Sequence, residues 1–239
     1  MQSLESELQK LANKDKAKIL QRFFKTGKGE YGEGDVFLGI TVPQIRQVTK
    51  KYFKQLSLKD IQQLLQSNIH EKRLLALLIL IEKYTHQDEK SKEVIFNFYL
   101  SNTKRINNWD LVDLSAPNIL GNYLLTKDRK ILYSLASSSS LWEKRIAILS
   151  TYAFIKNNQF QDTLKIAEIL LKDKHDLLHK ATGWMLRELG KRNQPLEEQF
   201  LKKHCKIMPR TMLRYAIEKF PEEKRRFYLK GSTSQLRRI

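Results

Sequence analysis

The stretch Glu71-Lys-Arg-Leu-Leu-Ala-Leu77 recurs further along the chain as Glu143-Lys-Arg-Ile-Ala-Ile-Leu149. Each copy runs from a charged turn into a segment that is apolar nearly all round, as expected of a helix buried between neighbouring helices. The offset between the two copies is about twice the period of a two-helix repeat. The sequence therefore predicts a repeated helical architecture rather than a mixed or all-β fold.

The same pattern continues along the chain. Aligned helices place Arg73, Asp113, Arg145, Lys180 and Arg214 at corresponding positions, and each interval between neighbours has the length of one two-helix repeat. This spacing predicts an all-α solenoid of HEAT-like antiparallel helix pairs with a concave face. Because four of these positions are cationic, we expect a basic concave face that binds phosphates, interrupted by one acid. The alternative is that the alignment is wrong by one turn and that Asp113 is an ordinary surface acid.

The charge balance points to a polyanionic partner. The 239 residues include 44 Lys and Arg against 26 Asp and Glu, a formal charge of +18, and such an excess favours nucleic acid. The longest apolar run, residues 74–81, is too short to span a membrane. We expect one repeat domain over residues 1–230, a basic flexible tail over residues 231–239, and a monomer.

Targeting and cysteine content suggest the compartment. The N-terminal segment is polar and mixed in charge, so no signal peptide is expected. Cys205 is the single cysteine, which excludes internal disulfides and cysteine-based zinc clusters. We therefore expect a cytoplasmic protein, associated with the bacterial nucleoid through DNA.

The segment around Asp113 combines an indole, an acid and a helix break. Trp109 and Asp113 are one helical turn apart and share a face. Pro117 has no amide for the carbonyl of residue 113 and should break the helix there. The alternative is a Pro-kinked core helix with a buried Trp and a solvated Asp.

Other local signals concern helix starts and loops. Leu4, Leu8 and Leu11, followed by Ile19, Leu20, Phe23 and Phe24, predict two short helices near the N-terminus. Thr41 with Gln44, and Ser57 with Asp60, predict capped helix starts. The Gly-rich segment 26–35 is either a flexible connector or a loop whose backbone amides and Tyr31 approach a phosphate backbone.

Two further groups are candidate binding residues. Trp184 and Arg187 follow Lys180 by one turn, so we expect Lys180 and Arg187 to bind phosphates, while Trp184 and Trp142 could also be core residues. His175 and His179 have helical spacing, but no carboxylate pattern accompanies them, and we expect no metal there.

The sequence resembles the DNA alkylation repair enzymes of the AlkD-like type, which are all-helical HEAT-like DNA glycosylases. The matching blocks are Phe37-Leu-Gly-Ile40 with Pro43, Trp109-Asp-Leu-Val-Asp113 with Pro117 and Leu120-Gly121, Leu141-Trp142 with Arg145 and Ala147-Ile-Leu149, and Lys180-Ala181 with Gly183-Trp184 and Leu186-Arg-Glu188. They occur in the right order over most of the chain.

The resemblance implies a monofunctional glycosylase that needs no cofactor or metal and acts on double-stranded DNA containing N3- or N7-alkylated purines. It implies catalytic roles for Trp109, Asp113 and Trp184 and a DNA contact for Arg145. A family Tyr falls on Phe23, where an aromatic contact is kept and a hydroxyl contact is lost. Lys residues that some members place after the equivalent of Arg145 are replaced by residues 150–153, Ser-Thr-Tyr-Ala.

Two other classes of function stay open from the sequence. A non-catalytic HEAT-like scaffold that binds DNA or RNA would explain the basic charge alone. A binder of acidic proteins would use the same concave face for a polypeptide. A glycosylase requires Trp109 and Asp113 to be accessible together, whereas a scaffold does not.

Overall fold

The computed structural model describes residues 1–230, and this part of the chain is an all-α helical repeat protein, as predicted. Its fourteen α-helices are α1 (Gln2–Leu11), α2 (Lys14–Phe23), α3 (Val42–Tyr52), α4 (Leu58–Leu65), α5 (His70–Thr85), α6 (Glu89–Ser101), α7 (Trp109–Ser115), α8 (Lys130–Ala136), α9 (Leu141–Lys156), α10 (Gln161–Leu170), α11 (Asp176–Gly190), α12 (Gln194–His204), α13 (Arg210–Ala216) and α14 (Glu222–Lys230). Two compact units are present: the first ends at Ser115 and the second begins at Ala116.

In the first unit, α5 is the central helix. It packs against α3, α4, α6 and α7, and most of its side chains are buried, among them Leu75, Ile79 and Leu80. A helix covered on several sides cannot keep one polar face, which is why its sequence is apolar nearly all round. The predicted buried helix is therefore confirmed.

The predicted helix starts are confirmed as well. The Thr41 amide donates to Gln44 Oε1 at 3.0 Å before α3, and Ser57 Oγ accepts from the Asp60 amide at 3.3 Å before α4. These bonds satisfy amides that have no partner inside the helix.

The second unit stacks alternate helices. In it, α9 packs against α11, and α11 packs against α13, while α10 packs against α8, α9 and α11. The close approach of α11 and α13 depends on Gly183, since a Cβ there would lie 2.4 Å from the Met212 carbonyl oxygen. The repeat interval found in the sequence thus corresponds to one helical pair.

Pro117 interrupts the helical chain as predicted. After α7 ends at Ser115, residues Pro117–Gly121 form one π-helical turn. The Gly121 amide donates to the Ala116 carbonyl at 2.9 Å, five residues back. A π-turn accommodates a position that lacks an amide without ending the helical path.

The remaining predictions about organisation are not tested by these elements. A single domain over residues 1–230, HEAT-like geometry and a basic concave face stay predictions. The tail 231–239 lies outside the described residues. Within the described chain, no helix is both long enough and apolar enough to cross a membrane.

Candidate functional site

An aromatic cluster, Phe23, Phe24, Phe37 and Trp109, lies in the first unit. The Trp109 ring stacks on Phe24 with centroids 5.2 Å apart, and Phe24 stacks on Phe37 at 5.1 Å. Phe23 meets Trp109 edge-on at 6.0 Å and is 60% exposed, whereas Trp109 is half-buried. The structure thus brings together two residues, Phe23 and Trp109, that are far apart in the sequence.

Helix α2 carries Phe23 to this position. Asn13 caps the helix, since its Oδ1 accepts from the Lys16 amide at 2.9 Å, and its own amide donates to the Leu38 carbonyl at 2.8 Å. None of the α2 side chains is buried. The helix is therefore held at its start by Asn13, and its apolar side chains are not buried.

The segment Phe37–Ile40 is folded around one buried carboxylate. Glu71, in the first turn of α5, accepts hydrogen bonds from the amides of Leu38, Gly39 and Ile40 at 2.8 to 3.2 Å. Gly39 has φ +82°, and a Cβ there would lie 2.1 Å from the Asn13 carbonyl oxygen. The Phe-Leu-Gly-Ile block is thus a connection between the starts of α2 and α5.

A buried charge cluster, Asp35, His70, Arg73 and Asp110, lies next to the aromatic rings. His70 is 2% exposed; its Nδ1 is 3.1 Å from Asp35 Oδ2 and its Nε2 is 2.7 Å from Asp110 Oδ2. Arg73 Nη2 lies 2.6 Å from Asp35 Oδ1. The imidazole also stacks on Phe37 at 4.6 Å.

The protonation of His70 follows from these contacts. Burial by itself would lower the pKa of His70, but the hydrogen bond and charge of Asp110, together with Asp35, outweigh burial and raise the pKa to about 9. Burial would raise the pKa of Asp35, and the hydrogen bond from His70 and the charge of Arg73 lower it instead. At neutral pH, His70 is therefore an imidazolium that donates to both carboxylates.

This cluster fixes the start of α7. Asp110 is held by His70, and the fully buried Asn108 accepts from the Trp109 amide through Oδ1 at 2.8 Å. Asn108 Nδ2 also lies 3.4 Å from Asp35 Oδ2. The backbone on both sides of Trp109 is thus anchored to the charge cluster, so the indole has a defined position.

Asp113 lies one turn further along α7 and is half-buried. Burial first, and then the charge of Asp113, raise the pKa of Tyr99 above its usual value, so this carboxylate lies close to the Tyr99 phenol. Ser115 Oγ donates to the Leu111 carbonyl at 2.5 Å, and the Tyr99 hydroxyl therefore donates to Ser115 Oγ at 2.8 Å. The far end of α7 is anchored by this buried pair.

Trp184 lies on α11 in the second unit and is half-buried. Its Nε1 donates to Glu188 Oε1 at 3.2 Å, and its ring centroid is 6.2 Å from that of Tyr152. Tyr152 stands in the segment where some family members place Lys, and Lys156 Nζ lies 4.5 Å above its ring. Tyr152 and Glu188 are neighbours of Trp184 that the sequence did not identify.

The predicted phosphate-binding residues differ in accessibility. Lys180 is partly exposed and pairs with Asp176 at 2.7 Å, and Arg187 pairs with Glu218. Arg145 is only 5% exposed and donates to the Leu177 carbonyl at 2.5 Å, so a phosphate contact requires that its guanidinium become accessible. Arg73 is buried against Asp35, so it is not an accessible member of the expected row of cations that Asp113 interrupts.

Two backbone amides of the Gly-rich loop are hydrogen-bonded to carboxylates of the same loop. The amides of Gly27 and Gly29 donate to the carboxylates of Glu30 and Glu33, each at 2.8 Å. These two amides are thus occupied, which disfavours the phosphate-cradle alternative for them. Tyr31 is half-buried within the loop, and its predicted DNA contact stays a prediction.

His175 and His179 have structural roles. His175 Nδ1 accepts from the Leu177 amide at 3.2 Å at the start of α11, and His179 Nε2 lies 2.7 Å from the Asp173 carbonyl oxygen. Within residues 1–230, no three His, Cys, Asp or Glu side chains are grouped so as to hold a metal ion.

The charge cluster was missed at the sequence level, although a signal for part of it exists. His70 and Asp110 are separated by the same interval as Arg73 and Asp113. Corresponding positions in consecutive repeats lie side by side, so the alignment that pairs Arg73 with Asp113 also pairs His70 with Asp110. Asp35 comes from a loop outside the repeats and carries no such signal.

The fold and these contacts define an all-α repeat protein in which an exposed Phe23 contacts a half-buried Trp109 at the start of the helix that carries Asp113. The family model for DNA alkylation repair enzymes matches residues 4–220, and the chain belongs to this family. Membership supports a role in DNA repair and implies DNA as the partner.

A solved structure and the curated proteins complete the comparison. The chain is similar in fold to a predicted DNA alkylation repair enzyme from Enterococcus faecalis, with TM-score 0.68 and 16% identity over 88% of this chain and 97% of that one. None of the curated proteins matches the chain.

Proposed function

We propose that this protein is a monofunctional DNA glycosylase that excises cationic N3- or N7-alkylated purines from duplex DNA. The observation that carries this proposal is the contact between the exposed Phe23 and the half-buried Trp109, at the start of the helix that also carries Asp113. A Trp with only a packing role would not require an exposed aromatic neighbour or a helix start that is fixed by a buried charge cluster.

The proposed chemistry places little demand on proton transfer. An alkylated purine is already cationic, so the electron pair of the glycosidic bond can leave with the base and neutralise it. The sugar then develops oxocarbenium character at C1′. A fixed carboxylate such as Asp113 stabilises that charge electrostatically, and water adds to C1′ with loss of a proton.

The aromatic residues bind the cationic nucleotide before the bond breaks. Ring faces attract cations by about 0.5 to 2 kcal/mol each, and Trp109 together with Phe23 offers two such rings in the first unit. Trp184, in the second unit, stays a proposed catalytic residue, and its orientation is fixed by Glu188.

Basic residues of the second unit provide affinity for the backbone. Lys180 and Arg187 are proposed to exchange their carboxylate partners, Asp176 and Glu218, for phosphates. Arg145 joins them in the proposal only if DNA binding makes its buried guanidinium accessible.

The decisive experiment is release of methylated purine from alkylated duplex DNA by the purified full-length protein. We expect release well above the spontaneous rate and no strand cleavage, since no group for β-elimination is invoked. Tight DNA binding with release at the spontaneous rate would instead indicate the non-catalytic scaffold.

A further inference from the structure

A cavity of about 350 Å³ opens beside α2 in the first unit. Its wall is largely apolar and includes Leu20, Phe24, Phe37, Ile40 and Leu74. This volume lies at the lower end of the range for small-molecule sites, which are also mostly apolar with a few fixed polar groups. It suits a fragment the size of a substituted nucleobase.

The polar end of the cavity offers one carboxylate to a ligand. Besides the exposed Lys16, the charged lining residues are Glu71, His70 and Asp110. Glu71 accepts from the amides of Leu38, Gly39 and Ile40, and both ring nitrogens of His70 are bound, to Asp35 and to Asp110. Asp110 is 12% exposed; Oδ2 faces His70 and Oδ1 accepts from the Leu111 amide. A carboxylate has about four acceptor positions, two on each oxygen. Since His70 and the Leu111 amide each use one, each oxygen of Asp110 has one further acceptor position.

Burying the charge cluster has a cost in hydration free energy. Burying charged groups loses hydration that their attraction only partly returns, and here His70, Asp35 and Arg73 together hold a single carboxylate at the end of an apolar cavity. Such a group can accept hydrogen bonds from a ligand without reorganising. Apolar walls with hydrogen bonds to the base edge are how enzymes bind a nucleobase outside the helix stack.

We propose that this cavity binds a free purine base of the guanine type, whose N1–H and exocyclic amino group donate side by side to Asp110. Adenine-type bases present one donor next to an acceptor, and that acceptor would face the carboxylate. The inference rests on the proposed function for the source of the base, an N7-alkylguanine released by excision. Phe24 and Asp110 link the cavity to Trp109, since Phe24 stacks on the indole and Asp110 follows it in sequence.

Direct binding of free bases tests the proposal without any DNA. Titration calorimetry of the full-length protein with 7-methylguanine should show binding, and 3-methyladenine should bind about tenfold more weakly, as expected when one charge-assisted hydrogen bond is lost. Asp110→Asn should abolish this preference, because an amide offers one donor beside one acceptor and can pair either with an adenine-type edge or with guanine O6 and N1–H. A misfolded variant would lose both ligands rather than bind them equally.

A pair of variants outside the charge cluster provides a further test. Ile19, 65% exposed at the cavity mouth, changed to Lys should weaken 7-methylguanine binding at least threefold, since an ammonium replaces part of the apolar wall. Ile207→Lys, at a 66% exposed position of the second unit, is the matched control and should have no effect.

The outcomes separate this proposal from the glycosylase. Excision by the parent protein without binding of either base would overturn the cavity assignment alone. Base binding with the predicted preference but no excision would support the cavity and count against the glycosylase. Equal affinity for both bases, or an unchanged preference in Asp110→Asn, would overturn the role of Asp110.

Discussion

Asp113 is the residue whose charge the proposed mechanism uses most directly. Asp113→Asn keeps the size of the side chain and removes its negative charge, so excision should fall about 100-fold, as when a preorganised electrostatic group is lost. Affinity for undamaged DNA should hold or rise, because one charge that repels phosphates has gone.

Single-turnover excision and duplex affinity, measured on the same preparation, check this prediction. Glu93→Gln, at an exposed position of α6, is the control for the change in net charge and should leave excision unaltered. Excision at the parent rate in Asp113→Asn would remove Asp113 from the mechanism.

His70 should make stability depend on pH. Its pKa is raised from 6.5 to about 9, so its contribution is complete below pH 6.5 and is lost as pH rises to 9. This difference corresponds to about 3 kcal/mol of unfolding free energy. The parent protein should therefore become easier to unfold over that window.

A second buried group, Glu197, also makes the unfolding free energy depend on pH in part of this range. Its contribution has to be removed before that of His70 can be measured. Burial first, with the charge of Glu198, raises the pKa of Glu197 from 4.5 to about 8, so stability is also lost between those values. Urea unfolding at pH 6 and pH 9 should show that Glu197→Gln still loses stability, whereas Glu197→Gln with His70→Gln does not. A flat profile in Glu197→Gln would mean that His70 is not the cation described.

At the scale of elements, the segment between α2 and α3 depends on Gly39. Gly39→Ala adds a Cβ 2.1 Å from the Asn13 carbonyl oxygen at φ +82° and disturbs the amides on Glu71. We expect unfolding to become easier by about 3 kcal/mol or more.

Gly34→Ala is the matched control for this substitution. Gly34 has φ +85°, but no atom lies within 4 Å of the added Cβ. Only the backbone strain remains, about 1 to 2 kcal/mol. Equal losses for both variants, measured by urea unfolding, would show that the close packing at Gly39 is not what makes the position sensitive.

The helices themselves could be predicted because their signals are local. The apolar period of α5, the caps of α3 and α4 and the break at Pro117 each depend on residues within two turns. The aromatic cluster could be predicted only in part. Trp109 was marked by its neighbours in the chain, but its contact with Phe24 depends on how α2 is anchored by Asn13 and Leu38, which no periodicity describes.

Burial of the basic residues was also beyond the sequence pattern. Arg73 and Arg145 occupy the same position in the repeat as Lys180. The residue type alone does not show whether an Arg at that position is exposed or buried. What distinguishes them is a partner elsewhere: Asp35 for Arg73 and the Leu177 carbonyl for Arg145. Such partners are contributed by tertiary packing.

At the scale of the whole molecule, the salt dependence of DNA binding reports the phosphate contacts. Lys180→Ala should make the negative slope of log affinity against log salt shallower by about one, since one fewer counterion is released. Arg145→Ala should leave the slope unchanged while lowering stability, because its guanidinium is buried. Fluorescence anisotropy with an undamaged duplex between about 50 and 200 mM salt, conditions in which such slopes are large, measures both.

Glu218→Gln provides a test in the opposite direction. It removes one of the two carboxylates that pair with Arg187, the other being Glu188, so DNA affinity should rise if Arg187 binds phosphate. Lower affinity, or unchanged slopes for Lys180→Ala, would place the DNA contact of the second unit elsewhere.

The three amides that bind Glu71 have a consequence for how this region tolerates change in length. Loops usually accept insertions because their backbone is solvated, and the Gly-rich segment around Gly29 and Gly34, open around both glycines, fits that rule. Leu38, Gly39 and Ile40 do not, since adding one residue would shift their amides off a single buried carboxylate. Among relatives of this chain, we therefore expect the number of residues between α2 and Phe37 to vary. The segment from Phe37 to Ile40 should keep its four residues.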